Sequence, residues 1–144
     1  MPGSENVQAV VREWVEKAEN DLKTAAHTLK LGSDCPTDTV CFHAQQCVEK
    51  YLKALLVLKH IDFPKTHDVG ELIALTTGLA RLEVSVAEQR RLSVYATVTR
   101  YPGDYEPITL SEARRAVAMA RRVRKEIRRL LPKEALRKAF RQPR

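Results

Sequence analysis

Four polar residues of one predicted helix have the types and the spacing to do chemistry. His43, Gln46, Lys50 and Lys53 recur every three or four residues, which places them on one face of a helix. We call these four residues the polar stripe; only Glu49, at its edge, is acidic. A solvated helix face more often mixes Glu and Lys at four-residue spacing. An imidazole, an amide and two ammonium groups suit a phosphate or a base edge, and a plain solvated face is the alternative.

Two residues of a predicted loop extend this set of candidates. Arg100 and Tyr101 lie in a segment where Pro102, Gly103 and Pro107 prevent a regular helix. Loops between helices often carry functional residues, and an arginine can bind phosphate while a tyrosine stacks on a base. The alternative is that Arg100 bridges helix ends through carboxylates.

Three further polar residues have a structural interpretation beside a functional one. Gln45 falls at the edge of the apolar side of its helix, so we expect it to be partly buried and hydrogen-bonded. Asp21 has either a role in a site or an ion pair with Lys17, four residues earlier. For His67 we expect a hydrogen bond that orders the loop around it.

Helices must position all of these residues. Opposite the polar stripe, an apolar arc predicts a core face: Ala44, Val48, Tyr51, Leu55 and Leu58, joined by Cys41, Cys47 and Leu52. Apolar periodicity and start signals predict helices over about 7–31, 36–60, 69–79, 85–98 and 109–131, with N-caps at Asp68, Ser85 and Thr109. The fold class is therefore all-α, an antiparallel up-and-down bundle of four to five helices over residues 1–131. Residues 132–144 form a basic tail with room for one more short helix.

The positive charge of the chain is concentrated in its C-terminal residues. Residues 1–113 carry 12 Lys and Arg against 16 Asp and Glu, whereas residues 114–144 carry 13 against only two. A net charge of +7 thus combines a mildly acidic body with a strongly basic last helix and tail. This asymmetry indicates a polyanionic partner or an acidic protein surface, unless the arginines simply coat a solvated helix.

Composition excludes several classes of protein. No apolar run reaches the roughly 18 residues of a membrane span, and the N-terminus lacks the features of a signal peptide, so we expect a cytoplasmic protein without a membrane partner. Cys35, Cys41 and Cys47 lack the paired spacing of a zinc site, and we expect them to be buried. No glycine-rich phosphate loop occurs, and we expect no metal and no cofactor.

Four segments together resemble the successive motifs of the HEPN domain family. They are WVEKAENDL at 14–22, FHAQQCVEKYLKAL at 42–55, THD at 66–68 and TRYP at 99–102. The resemblance covers roughly residues 8–131 in the right order. It implies a helical bundle that is commonly a homodimer and often lies beside a small nucleotidyltransferase protein, including as a toxin–antitoxin pair. Some members of the family bind nucleotides, and many are metal-independent ribonucleases.

The ribonuclease members carry an Arg followed four to six residues later by a His, and this sequence departs from that pattern. No histidine occurs anywhere beyond His67. We therefore expect a non-catalytic protein that binds a nucleotide or RNA with the polar stripe, Arg100 and Tyr101, together with a nucleotidyltransferase partner. Replacing Lys50 and Lys53 by Ala should then lower nucleotide affinity with little loss of thermal stability. The alternatives are a ribonuclease toxin that uses His43 or His67, and a pure protein-interaction module.

Overall fold

The fold consists of helices. The computed structural model describes residues 4–97 and 106–137, and within these ranges it contains no strand. The helices are α1 (Ser4–Leu29), α2 (Thr37–Leu58), α3 (Val69–Leu75), α4 (Val86–Thr97), α5 (Leu110–Leu130) and α6 (Lys133–Leu136). A 3₁₀ turn over Gly32–Asp34 joins α1 to α2. The predicted all-α bundle is confirmed, and the one-turn helix α6 lies in the segment that the sequence assigned to the basic tail.

Helix α2 is the central element of the bundle, because it packs against α1, α3, α4 and α5. Helices α1 and α2 are antiparallel: Trp14, early in α1, meets Lys53, late in α2, while Asp21 meets His43. Most of the large, fully buried side chains come from α2, and the predicted apolar arc faces the core, with Leu58 partly buried. The fully buried side chains of the core include Tyr51, Leu52, Leu55, Leu56, Leu72, Leu92 and Ile127. The three cysteines are buried, as predicted, and none of them forms a disulfide within the described ranges.

Three of the helices, α3, α4 and α5, begin where a side chain replaces a missing backbone partner. The Asp68 carboxylate accepts a hydrogen bond from the amide of Glu71 at 3.2 Å and caps α3. Ser85 and Glu88 form a reciprocal capping box at α4, with distances of 3.1 and 3.0 Å. The Thr109 hydroxyl accepts from the third residue of α5 at 3.0 Å. All three predicted N-caps are confirmed.

Helix ends differ more from the prediction. Helix α3 ends at Leu75 and not near residue 79, because the Thr76 hydroxyl donates to the carbonyl of Ile73 at 2.7 Å and Gly78 takes a φ of 84°. Helix α1 ends two residues earlier than predicted, at Leu29, and helix α2 ends at Leu58 rather than near residue 60. Local hydrogen bonds and left-handed residues terminate helices that apolar periodicity alone extends too far.

Within the described ranges, no helix is both long enough and apolar enough to cross a bilayer.

Candidate functional site

Asp21 of α1 holds two residues of the polar stripe. Its Oδ1 lies 2.7 Å from His43 Nδ1, and its Oδ2 accepts a hydrogen bond from Lys50 Nζ at 2.5 Å. We call Asp21, His43 and Lys50 the Asp21 cluster. The alternative pair between Asp21 and Lys17 is not formed, since Lys17 pairs with Glu13 instead. The antiparallel packing of α1 and α2 therefore creates a cluster that neither helix contains alone.

The Asp21 cluster is half-open to solvent. The side chain of His43 is 26% exposed and that of Lys50 is 21% exposed. Asp21 fixes the ring through Nδ1, and among the described residues no hydrogen bond reaches Nε2 of His43. An imidazole held in this way can accept a proton at Nε2 or, when charged, donate one to an anionic oxygen. The cluster thus presents one imidazole nitrogen and one ammonium group at fixed positions.

Phe42 and Gln46 complete the accessible part of this surface. The Phe42 ring is 40% exposed and meets the His43 ring edge to face, with centroids 5.3 Å apart. Gln46 Nε2 donates to Gln45 Oε1 at 2.7 Å, and the rest of its side chain is half-buried. An exposed ring beside cationic donors is an arrangement that can take a base and a phosphate together. We call Phe42, His43, Gln46 and Lys50 the α2 face.

Glu49 organises a second cluster, which is buried apart from the exposed ring of His67. Its Oε1 lies 2.9 Å from His67 Nδ1 and accepts from Gln45 Nε2 at 3.0 Å, and its Oε2 accepts from Lys53 Nζ at 3.0 Å. Burial alone would raise the pKa of the Glu49 carboxyl, but the hydrogen bonds from His67, Gln45 and Lys53 lower it below its ordinary value. The hydrogen bonds expected for Gln45 and His67 are both present, and Gln45 is fully buried rather than partly buried.

Lys53 does not lie on an open face. Its side chain is only 10% exposed, and its ammonium group sits over the rings of Trp14 and Phe63 at 5.4 and 5.9 Å. Together with the ion pair to Glu49, these contacts make Lys53 part of the packing around α2. The expectation that Lys53 can be removed at little cost in stability must therefore be corrected, and Lys50 is the stripe lysine that remains accessible.

Two predicted site residues, Arg100 and Tyr101, lie outside the described residues. Among residues 4–97 and 106–137, no group of three or more His, Cys, Asp and Glu side chains is arranged to hold a metal ion.

Sequence reasoning missed a network centred on Glu19 of α1. Arg124 donates to both Glu19 oxygens at 2.8 Å, and Tyr51 Oη donates to Oε2 at 2.7 Å. Arg128 donates to Tyr51 Oη at 3.2 Å. Burial would raise the pKa of Glu19, but the hydrogen bonds from Arg124 and Tyr51 lower it below its ordinary value. The four-residue spacing of Arg124 and Arg128 was the only signal of this network in the sequence.

Comparisons with known proteins agree on one family. A family model described as the HEPN domain matches residues 11–130. A crystal structure of an archaeal HEPN homologue matches with a TM-score of 0.62 and 25% sequence identity, covering 82% of this chain and 94% of that one. No curated protein matches the chain.

Proposed function

Because this chain belongs to the HEPN domain family, we propose that it is a non-catalytic HEPN protein that binds a nucleotide or nucleic-acid phosphate. The α2 face is the proposed binding surface, with Arg100 and Tyr101 as further ligand contacts and the buried Lys53 as a support of the helix. The observation that carries this proposal is the Asp21 cluster, where one carboxylate holds an imidazole and an ammonium group beside an exposed aromatic ring.

The chemistry of the α2 face supports a nucleotide. Lys50 offers hydrogen-bond donors to phosphate oxygens, and so does Nε2 of His43 when the ring carries a proton on both nitrogens; charge-assisted hydrogen bonds of this kind are stronger than neutral ones. The Phe42 ring offers a surface on which a base can stack. Asp21 offsets the charge of Lys50, so the affinity must come from positioned donors more than from net positive charge.

Binding of nucleotides tests this proposal directly. We expect Lys50→Gln to weaken binding of a nucleoside triphosphate in calorimetry by roughly tenfold, because a hydrogen bond to a charged group contributes about 1.5 kcal/mol or more. Lys17→Gln is the matched control, since it removes one exposed lysine of α1 outside the α2 face. Unchanged affinity in the Lys50 variant would exclude the α2 face as the site.

The proposal extends to partners. We propose a homodimer that acts with a small nucleotidyltransferase protein, in a pair of the toxin–antitoxin type, and localisation in the cytoplasm. The support for this extension is the family resemblance. Light scattering of the purified chain measures its oligomeric state, and co-expression with the product of a neighbouring nucleotidyltransferase gene tests the pair. Failure of the two proteins to co-purify would contradict the partnership.

A metal-independent ribonuclease is the second candidate function, and the 2.7 Å contact between His43 and Asp21 favours it. A carboxylate on Nδ1 orients an imidazole for proton transfer at Nε2, as in acid–base catalysis. The test is incubation of RNA with the chain in the presence of a chelator, next to His43→Ala, His67→Ala and Arg100→Ala. Cleavage that disappears in the His43 variant would establish a ribonuclease that depends on His43. Cleavage no greater than background would exclude the ribonuclease function.

A further inference from the structure

A cleft on the side of α1 away from the Asp21 cluster collects unusual positive charge. It has a volume of about 840 Å³ and lies between α1, α5 and the segment around α6. Six cationic residues of the described part of the chain line it: Lys23, Arg121, Arg124, Lys125, Arg128 and Arg137. Only two acidic residues of the same part, Glu16 and Glu19, lie among its lining residues. We call this surface the basic cleft.

The positive charge of the basic cleft is only partly compensated by the protein. Glu19 forms ion pairs with both Arg124 and Arg128. The other four cations, Lys23, Arg121, Lys125 and Arg137, are exposed, and within residues 4–97 and 106–137 none of them has an ion-pair partner. Uncompensated like charges along a concave surface raise the local concentration of anions. The Asp21 cluster differs in this respect, since its carboxylate balances Lys50.

The spacing of the cations along α5 defines a track. Residues 121, 124, 125 and 128 follow the three- and four-residue intervals that place side chains on one face, over a length of roughly 10 Å. Like charges four residues apart disfavour a helix, so this pattern is not explained by helix stability. A row of this length can meet more than one phosphate group of an extended strand.

Glu19 positions the arginines of the track. It occupies two donors of the Arg124 guanidinium, at 2.8 Å each, and a guanidinium has five. Tyr51 donates to Glu19 at 2.7 Å and accepts from Arg128 at 3.2 Å, so both guanidinium groups are held in place while donors remain available. Arginines oriented in this way are suited to phosphate oxygens, which match their planar fork.

The remaining walls of the cleft favour the phosphate backbone over the bases. Within residues 4–97 and 106–137, its apolar lining consists of aliphatic side chains, Val15, Leu22, Ala26, Ala135 and Leu136, and no aromatic side chain of these ranges lines it. Base recognition without sequence preference depends on aromatic stacking, which these residues cannot provide. We propose that the basic cleft binds the phosphodiester backbone of a single-stranded polynucleotide, independently of base sequence and separately from the α2 face.

Fluorescence anisotropy with a labelled RNA of roughly 12 nucleotides tests this proposal, at low salt and over a salt series. We expect Arg121→Gln with Lys125→Gln to weaken binding on the order of tenfold at low salt. The salt dependence should fall by about 0.7 per lost phosphate contact. Arg90→Gln with Lys59→Gln is the matched control, because it removes the same charge from two exposed positions outside the cleft. This control should bind like the unchanged protein.

Binding of other polynucleotides and competition experiments identify the class of ligand. We expect oligo-U, oligo-A and the corresponding DNA to bind within a fewfold of one another, and ATP or an acidic peptide of equal charge to compete poorly. Equal competition by ATP or by the peptide would overturn the polynucleotide assignment, as would equal affinity of the cleft variant and its control. Arg121→Gln with Lys125→Gln distinguishes the two surfaces: it should weaken RNA binding and leave the affinity for a nucleoside triphosphate unchanged, because neither residue belongs to the α2 face.

Discussion

Glu49 and Lys53 form an ion pair inside the helical bundle, with Lys53 Nζ 3.0 Å from Glu49 Oε2 and with both side chains buried. The same pair on a helix surface would contribute only a few tenths of a kcal/mol. In the interior, each charge has lost its hydration and depends on the other. Lys53, which the sequence places in a binding stripe, is therefore a support of α2, and His43, Gln46 and Lys50 are the stripe residues that remain accessible.

The first prediction separates the two lysines of the stripe by stability. Lys53→Ala should lower the free energy of unfolding by roughly 3 kcal/mol, because it leaves the Glu49 carboxylate buried without its cation. Lys50→Ala should cost less than about 1 kcal/mol, since Lys50 lies at a half-open position and His43 still contacts Asp21. Urea denaturation followed by circular dichroism measures both. Adding Glu49→Gln to Lys53→Met should recover part of the loss, and equal effects of the two lysines would contradict this assignment.

The second prediction concerns the loss of stability at low pH and its dependence on Glu49. Hydrogen bonds lower the pKa of Glu49 in the folded state below its ordinary value of 4.5, against the effect of burial. Such a carboxyl contributes its stabilisation fully above its unfolded pKa, and the contribution is lost as the pH falls through the folded pKa. We therefore expect the free energy of unfolding to decline below about pH 4.5, and to decline less steeply in Glu49→Gln. Denaturation at a series of pH values measures both slopes; parallel slopes would show that Glu49 is not responsible.

The third prediction tests the network around Glu19. Tyr51→Phe removes a hydroxyl that donates to Glu19 and accepts from Arg128, so it should lower stability by about 1 kcal/mol. Combined with Glu19→Gln, the loss should be smaller than the sum of the two single losses, because the residues share hydrogen bonds. A double-mutant cycle from chemical denaturation gives the coupling. Strict additivity would mean that Tyr51 and Glu19 contribute to stability independently.

The fourth prediction concerns Gly32, which follows α1 and has a positive φ. Gly32 has a φ of 63°, and a Cβ placed on it would meet no atom within 4 Å. Gly32→Ala should therefore cost about 1 kcal/mol from conformation alone, without a steric clash. Gly32→Asn should cost less, because asparagine tolerates the left-handed region better. Thermal unfolding of the two variants compares them, and an equal loss would point to a cause other than the sign of φ.

Local signals in the sequence were sufficient for the helices. The apolar arc of α2 and the caps at Asp68, Ser85 and Thr109 depend on residues within one or two turns, so they could be predicted without tertiary contacts. The end of α3 was predicted too late, since the hydrogen bond from Thr76 and the positive φ of Gly78 compete with helical periodicity there. The burial of Lys53 could not be foreseen, because it depends on Trp14 from another helix and Phe63 from a loop.

The sequence by itself determined that this protein is a helical bundle of the HEPN type, which residues of α2 face its core, and that its positive charge lies at its end. Only the tertiary structure decided which polar residues remain accessible. The pairing of Asp21 with His43 and Lys50, and of Glu19 with Arg124, joins residues 22 to 105 positions apart. Helix periodicity orders neighbours one turn apart, whereas helix packing decides which charges meet, lose water and compensate one another.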